Sequence, residues 1–344
     1  MSEFLTIKKL ILKATICAAV LFAIGAICVF AGPGMTERLK GVLGIGGQRL
    51  SEVDYQILFH IRLPRIILAA VVGAALACSG VTLQAILRNP LADPYILGIS
   101  SGAALGVVAA VTCGLSFTFL GGSAKALLGF CGAFGTVWLV WCVGHVGSGT
   151  GSSTSLLLAG VVINALFSAV VMFLTSIATS EQVKDTAIWL MGNLTDKDTD
   201  ILVLSSLCIF GGIAVLFTIA QKLNVTSLGW PEAKSLGVNV KTIKLIAFAV
   251  SAFITAMAVS LTGLIGFVGL IVPHAGRLIF GPDHRQLIPI SAFFGAAFLV
   301  IADTIARLVF STAELPVGVI TAIAGGPFFL ILLAKYSRKV SWAK

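Results

Sequence analysis

Apolar run follows apolar run along this chain, about ten of them: near 10–31, 62–87, 95–113, 122–145, 154–178, 200–221, 240–262, 264–281, 287–309 and 317–335. Most are close to the roughly 20 residues that a helix needs to cross bilayer hydrocarbon. Only 11% of the 344 residues are charged, against about 25% in a water-soluble domain, so the chain cannot cover a water-facing surface. The two-residue alternation of a transmembrane barrel is missing. In hydrocarbon the backbone must then satisfy its own hydrogen bonds as helix. The expectation is an all-α polytopic membrane protein of about ten transmembrane helices, with residues 1–344 forming a single membrane domain.

Ten crossings put both termini on one side of the membrane. If that side is the cytoplasm, the inner segments gather most of the lysines and arginines, among them Lys8, Lys9, Lys13, Lys222, Lys234 and the tail beyond Lys335, and they account for the whole net charge of +9. This is the positive-inside bias, and it removes any need for a nucleic-acid partner. The chain is expected in the cytoplasmic (inner) membrane, multi-pass, with both ends cytoplasmic. The first 31 residues carry lysines before an apolar run, but the run is long and no small-residue cleavage site ends it, so it is read as a retained first helix. Seven scattered cysteines form no CxxC pair and read as small core residues.

Catalytic and nucleotide-binding signatures are missing. No GxxxxGK[ST] and no HExxH occurs, so the chain is expected to be a non-enzyme that binds neither a cofactor nor a metal of its own. The four histidines are dispersed. His60 and His274 read as helix-end or packed residues, with haem ligation as the lesser alternative. Gly98, Gly102 and Gly106 recur every four residues and point to close helix packing. Asn164 and Ser168 share a face of the fifth helix and suggest either a helix–helix hydrogen bond or a pathway-lining position.

Charges at the ends of membrane spans need a reason. Asp303 and Arg307, four apart, fit an intrahelical pair. Arg62, Arg65 and Arg307 all fall on the outer side, against the charge bias. They read either as arginines reaching to lipid headgroups or as a patch receiving carboxylates of an external protein. On the inner side, the loop 222–239 has Pro231 at a plausible first turn between the Leu228-Gly229 and Leu236-Gly237 pairs. A short surface helix offered to a soluble partner fits it. A faint echo links 89–104 with 281–297, each restarting a helix after a Pro- and Asp-bearing turn.

One stretch binds these readings together. Residues 62–106, RLPRIILAAVVGAALACSGVTLQAILRNPLADPYILGISSGAALG, resemble the hallmark of the FecCD-type permeases, the membrane subunits of ATP-binding-cassette (ABC) importers for iron–siderophores, haem and cobalamin. Residues 263–274 with 281–285, and 302–307 with 314–318, match that family as well, so the resemblance spans about 55 to 335. It implies the type II ABC importer permease fold, ten helices per subunit and a second permease subunit, a homodimer being favoured. It also implies two cytoplasmic ATPase subunits that use ATP and Mg, and an extracytoplasmic substrate-binding protein. Carried over residue by residue, Arg62, Arg65 and Arg307 dock that protein, and reversing all three is expected to abolish its stimulation of the ATPase while leaving assembly intact. The ATPase-coupling segment falls on Leu228, Gly229, Glu232, Ala233, Leu236 and Gly237, with Gly-Trp-Pro-Glu standing where the family usually has Gly-Glu-Glu. The cytoplasmic gate falls on Ser153 and Thr154. An iron–siderophore is the leading cargo, with haem and cobalamin behind it; an ion-coupled secondary transporter is a remote alternative, since Asp303 is the only candidate coupling carboxylate and lies near a span end.

Overall fold

The computed structural model describes residues 6–32, 35–43, 50–119, 122–145, 153–194, 199–309 and 314–341. The Gly- and Ser-rich stretch 146–153 (VGSGTGSS) lies outside them except for Ser153. Each of the ten apolar runs is a helix. Seven are long and apolar enough to span a bilayer, and Ile99–Thr112, Val268–Phe280 and Val317–Leu332 are shorter.

In chain order the helices are α1 (Ile7–Phe30), α2 (Met35–Leu43), α3 (Glu52–Tyr55), α4 (Leu63–Leu87), α5 (Ile99–Thr112), α6 (Ala124–His145), α7 (Ser153–Ser176) and α8 (Ser180–Leu190). They continue as α9 (Thr199–Thr218), α10 (Ala220–Leu228), α11 (Trp230–Ser235), α12 (Val240–Thr262), α13 (Val268–Phe280), α14 (His284–Leu308) and α15 (Val317–Ser341). A two-residue antiparallel ladder pairs Thr118 with Ser123 and Phe119 with Gly122.

Helix α4 is the centre. It is buried along nearly its whole length and packs on α14, α12, α13 and α9, while α5, α6 and α7 form an adjoining group. Glycine decides how close these helices come. A Cβ on Gly73 would lie 2.1 Å from the Gly295 carbonyl oxygen, and one on Gly80 would lie 1.9 Å from that of Gly269. The backbones of α4, α14 and α13 therefore touch, as small residues allow where apolar burial drives helix association only weakly. The expected packing face on α5 is also present: Gly102 meets Gly132 and Thr136 of α6, and Gly106 meets the Leu128 carbonyl. Gly98 stands outside the helix, at a left-handed φ of 80° that caps α5.

Two boundaries differ from expectation. The second span begins ten residues early, because α3 runs through a π-helical stretch, Gln56–Arg62, into α4. The run expected to start at 264 becomes helical only at Val268. Residues 263–267 are not helical, since Gly263 and Phe267 both take positive φ, which a helix cannot accommodate. The amide of Ile265 in this stretch donates to the Tyr95 hydroxyl at 3.2 Å, so backbone at this depth is satisfied by protein. A capping box between Thr179 and Gln182 starts α8.

The echo between 89–104 and 281–297 is a shared device. The Asp93 carboxylate accepts from the Tyr95 amide at 2.9 Å, and that of Asp283 accepts from the Arg285 amide at 3.0 Å. The surroundings differ. Burial pushes Asp93 up to about 6. Asp283 is also pushed up by burial, but hydrogen bonds from Arg285 and Asn224 outweigh it and hold the group at about 2. A carboxyl raised in the folded state stabilises most below its unfolded pKa, and that contribution is lost as pH rises through about 6. Asp93→Asn keeps the acceptor for Tyr95. The variant is expected to melt above wild type at pH 8, with the gap closing as pH falls from about 6 to about 4. Thermal unfolding in detergent across pH reads this, and a gap that does not change with pH would refute it.

Candidate functional site

Two polar ends frame the molecule. At one end, Arg65 and Arg307 converge on Asp303, which is 0% exposed. The Arg65 Nε and Nη2 lie 2.9 Å from Asp303 Oδ1, and its Nη1 lies 2.6 Å from Glu314 Oε2. Arg307, one turn below on α14, donates from Nε to Asp303 Oδ2 at 3.2 Å. Its Nη2 reaches Thr304 Oγ1 at 3.2 Å and the Cys28 carbonyl at 3.4 Å. Arg62 Nη1 donates to the Val29 carbonyl at 2.9 Å. Two guanidinium groups thus satisfy the last carbonyls of α1, where the helix dipole also favours cations.

The three expected docking arginines are brought together, but not as three free charges. Arg65 is buried and committed to two carboxylates. Arg62 is only partly covered, whereas the Arg307 side chain, 9% exposed, is nearly as enclosed as that of Arg65. The expected Asp303–Arg307 pair exists and is one half of a triad whose other half, Arg65, comes from α4. Glu314 completes the cluster and was not singled out from sequence. It is 56% exposed on its side chain, which makes it the cluster carboxylate open to exchange with an outside group.

The other end carries the expected surface helix, α11. Gly229, at φ 145°, turns the chain out of α10, and Pro231 sits in the first turn of α11. At the exit, Gly237 takes φ 79°; its amide bonds to the Lys234 carbonyl and that of Val238 to the Ala233 carbonyl, both at 3.0 Å. This is the paired closure of a glycine C-terminal cap. The Lys244 ammonium lies 5.5 Å from the centre of the Trp230 ring, which seats the helix on α12. The helix is therefore built before any partner arrives.

Its expected contact residues divide. Leu228 is 65% and Leu236 64% exposed, and Glu232 faces solvent between them. Ala233 is 0% exposed and Gly229 is buried, so these two position the knob and offer no surface. Gly237 is exposed and serves the cap. Sequence reading passed over Asn224, whose amide grips the start of α14 through Asp283 and His284. Its signal was an Asn inside a helical run, where that residue type is unfavourable without a partner.

An apolar groove of about 470 Å³ is walled by Leu190, Met191, Leu264, Gly318, Val319 and Ile323. It sits where α8, the non-helical 263–267 segment and α15 meet. Helix α7 turns a long apolar face outward, including Leu158, Val162, Leu166 and Phe173. On α7, Thr154 and Ser168 are exposed and Asn164 is half-buried; Ser153 is its first residue. Neither His60 nor His274 belongs to a metal-binding group among the described residues. They pack instead against the Tyr55 and Phe328 rings.

Comparison with known proteins agrees with this geometry. Residues 8–335 match the FecCD transport family. The chain is 44% identical, over 88% of its length and 79% of the relative's, to a cobalamin import system permease protein of Halobacterium salinarum. It is 42% identical, over 85% and 87%, to a hemin transport system permease protein of Yersinia pestis. Among solved structures, a metal-chelate type ABC transporter in an inward-facing conformation superposes with a TM-score of 0.81 at 32% identity, covering 94% of this chain and 98% of that one.

Proposed function

We propose that this chain, which belongs to the FecCD transport family and is the non-enzymatic permease subunit of an ABC importer, passes an iron–siderophore complex across the cytoplasmic membrane. The supporting observation is the placement of two recognition surfaces at opposite ends of one helix array, together with a groove that no charged residue lines. Such a groove suits a bulky chelate and gives an inorganic ion nothing to bind. In this reading the arginine end faces outward and receives acidic side chains of a substrate-binding protein on Arg62 and Arg307. Glu314 yields its place on Arg65 to one of them. The exposed Leu228, Glu232 and Leu236 meet an ATPase subunit, of which two serve a permease pair, and ATP and Mg act there. The apolar faces of α7 and α15 meet a second copy of the chain and line the pathway, with Thr154 at its cytoplasmic mouth and Asn164 and Ser168 within it.

Two measurements test this. The cognate binding protein is screened against ferric siderophores, haem and cobalamin, and the reconstituted importer is assayed for uptake of whichever binds. Cobalamin is the second reading, favoured by the 44% identity to the archaeal permease. Uptake of cobalamin alone would replace the siderophore reading, and uptake of neither chelate would remove both. For the ATPase surface, Leu228→Asp combined with Leu236→Asp is expected to lose co-purification of the ATPase while the permease melts as wild type does. A retained stoichiometric complex would take α11 out of that role.

A further inference from the structure

We propose that Asn224 is a positioning residue that carries displacement of α11 into α14, and through α14 to the arginine end. The proposal rests on the reading that α11 meets the ATPase. Helix α10 leads directly into α11, and Asn224 lies one turn before the exposed Leu228. Its side chain makes a grip of fixed polarity. Nδ2 donates to Asp283 Oδ1 at 2.6 Å. Oδ1 accepts from the His284 amide at 2.8 Å and stands 2.7 Å from His284 Nδ1. Asp283 is the N-cap of α14 and His284 its first residue, so one amide holds both the cap and an orphan N–H of that helix.

The same helix end is anchored from other directions. Arg285 pairs with Asp283 at 2.7 Å. Lys13 of α1 donates to Gln286 Oε1 at 2.9 Å, and Gln286 Nε2 donates to the Phe280 carbonyl at the end of α13. Helix α14 then runs about 30 Å, at 1.5 Å per residue, from this node to Asp303. Its backbone touches α4 at Gly73 and Gly295 on the way. Pro289 removes one bond of the helical ladder near the gripped end, and beyond it the helix is continuous to Asp303. Movement of the knob is thus applied to α14 at its inner end and delivered where Asp303 holds Arg65 and Arg307. This is a contiguous physical path between two sites, the form of coupling that admits a direct test.

The test exploits the polarity of the grip in the complete reconstituted importer. Asn224→Asp sets an acceptor against Asp283 Oδ1. It is expected to cut binding-protein-stimulated ATPase about tenfold, toward the upper range for couplings of this kind, while the ATPase still co-purifies. Asp283→Asn added to it restores a donor–acceptor pair. That double variant is expected to recover stimulation to within about threefold of Asp283→Asn alone, which controls for the lost Arg285 pair. Stimulation unchanged in Asn224→Asp, or no recovery in an assembled double variant, would overturn the proposal. If Asn224→Asp does not assemble, Asn224→Ala, which only deletes the bonds, is read the same way. Failure of the α11 reading shows separately, as retained ATPase in the Leu228/Leu236 variant.

Discussion

Arg65→Glu is expected to leave almost no folded permease, whereas Arg62→Glu is expected to fold and to lose stimulation by the binding protein. The two arginines lie three residues apart, but their surroundings differ. Asp303 is 0% exposed, and Arg65 supplies one of its two cationic partners. Glutamate at 65 would set a new carboxylate against Asp303 and Glu314 and leave the buried charge half compensated. Breaking a buried pair costs about 3–5 kcal/mol, a large share of the roughly 5–15 kcal/mol that holds a domain together. Arg62 gives up one hydrogen bond, to the Val29 carbonyl, about 1.5–3 kcal/mol at most for a charged donor, and a partly exposed position can rehydrate. Yield and melting temperature of purified permease, followed by stimulated ATPase of the assembled importer, separate the two outcomes. A well-folded Arg65→Glu would show that the triad does not stabilise the fold. An Arg62→Glu with normal stimulation would remove Arg62 from docking. Reversing all three arginines together is therefore expected to cost assembly, because Arg65 and Arg307 both compensate the buried Asp303; of the three, only Arg62 is free of that pairing.

Gly80→Ala is the second large effect. A methyl group there would lie 1.9 Å from the Gly269 carbonyl oxygen, well inside any van der Waals contact. That oxygen belongs to backbone, so no side-chain rotation relieves the clash. The same carbonyl accepts from Gln84 Nε2 at 3.1 Å. Separating α13 from α4 would break that bond in a dry interior, where an orphaned polar group adds about 1–3 kcal/mol to an overpacking cost of similar size. The variant is expected to melt far below wild type in detergent. Gly135→Ala, with nothing within 4 Å of the added atom, should melt unchanged. Equal melting of the two variants would mean that α4 and α13 have room the structure does not show.

Helix existence was legible because the bilayer enforces it. A chain this poor in charge has no other way to satisfy its backbone, so ten apolar runs had to become ten helices. The glycine face of α5 followed from spacing, and the α11 knob from Pro231 and its flanking Leu-Gly pairs. Depth was not legible. Nothing in the run 264–281 announces that Gly263 and Phe267 take positive φ and hold the chain out of helix, because tertiary contacts, including the Tyr95 hydroxyl on Ile265, decide it. The pairings of α4 glycines with Gly269 and Gly295 are set by residues about 190 to 220 positions apart, beyond any local pattern.

The sequence by itself determined a polytopic helical membrane protein, its family resemblance and the neighbourhood of both recognition surfaces. Composition and hydropathy act locally, and the RLPR and NPLADP segments are contiguous. Only the tertiary structure decided which residues at those surfaces remain available. Burial divided the arginines into two that hold the buried Asp303, Arg65 and Arg307, and a partly open one, Arg62. It divided the knob into exposed Leu228 and Leu236 and a buried Ala233. It also joined Asn224 to Asp283, 59 positions away. Whether a charge or an amide is free depends on which distant partner has already claimed its hydrogen bonds, and that is settled by packing, not by order along the chain.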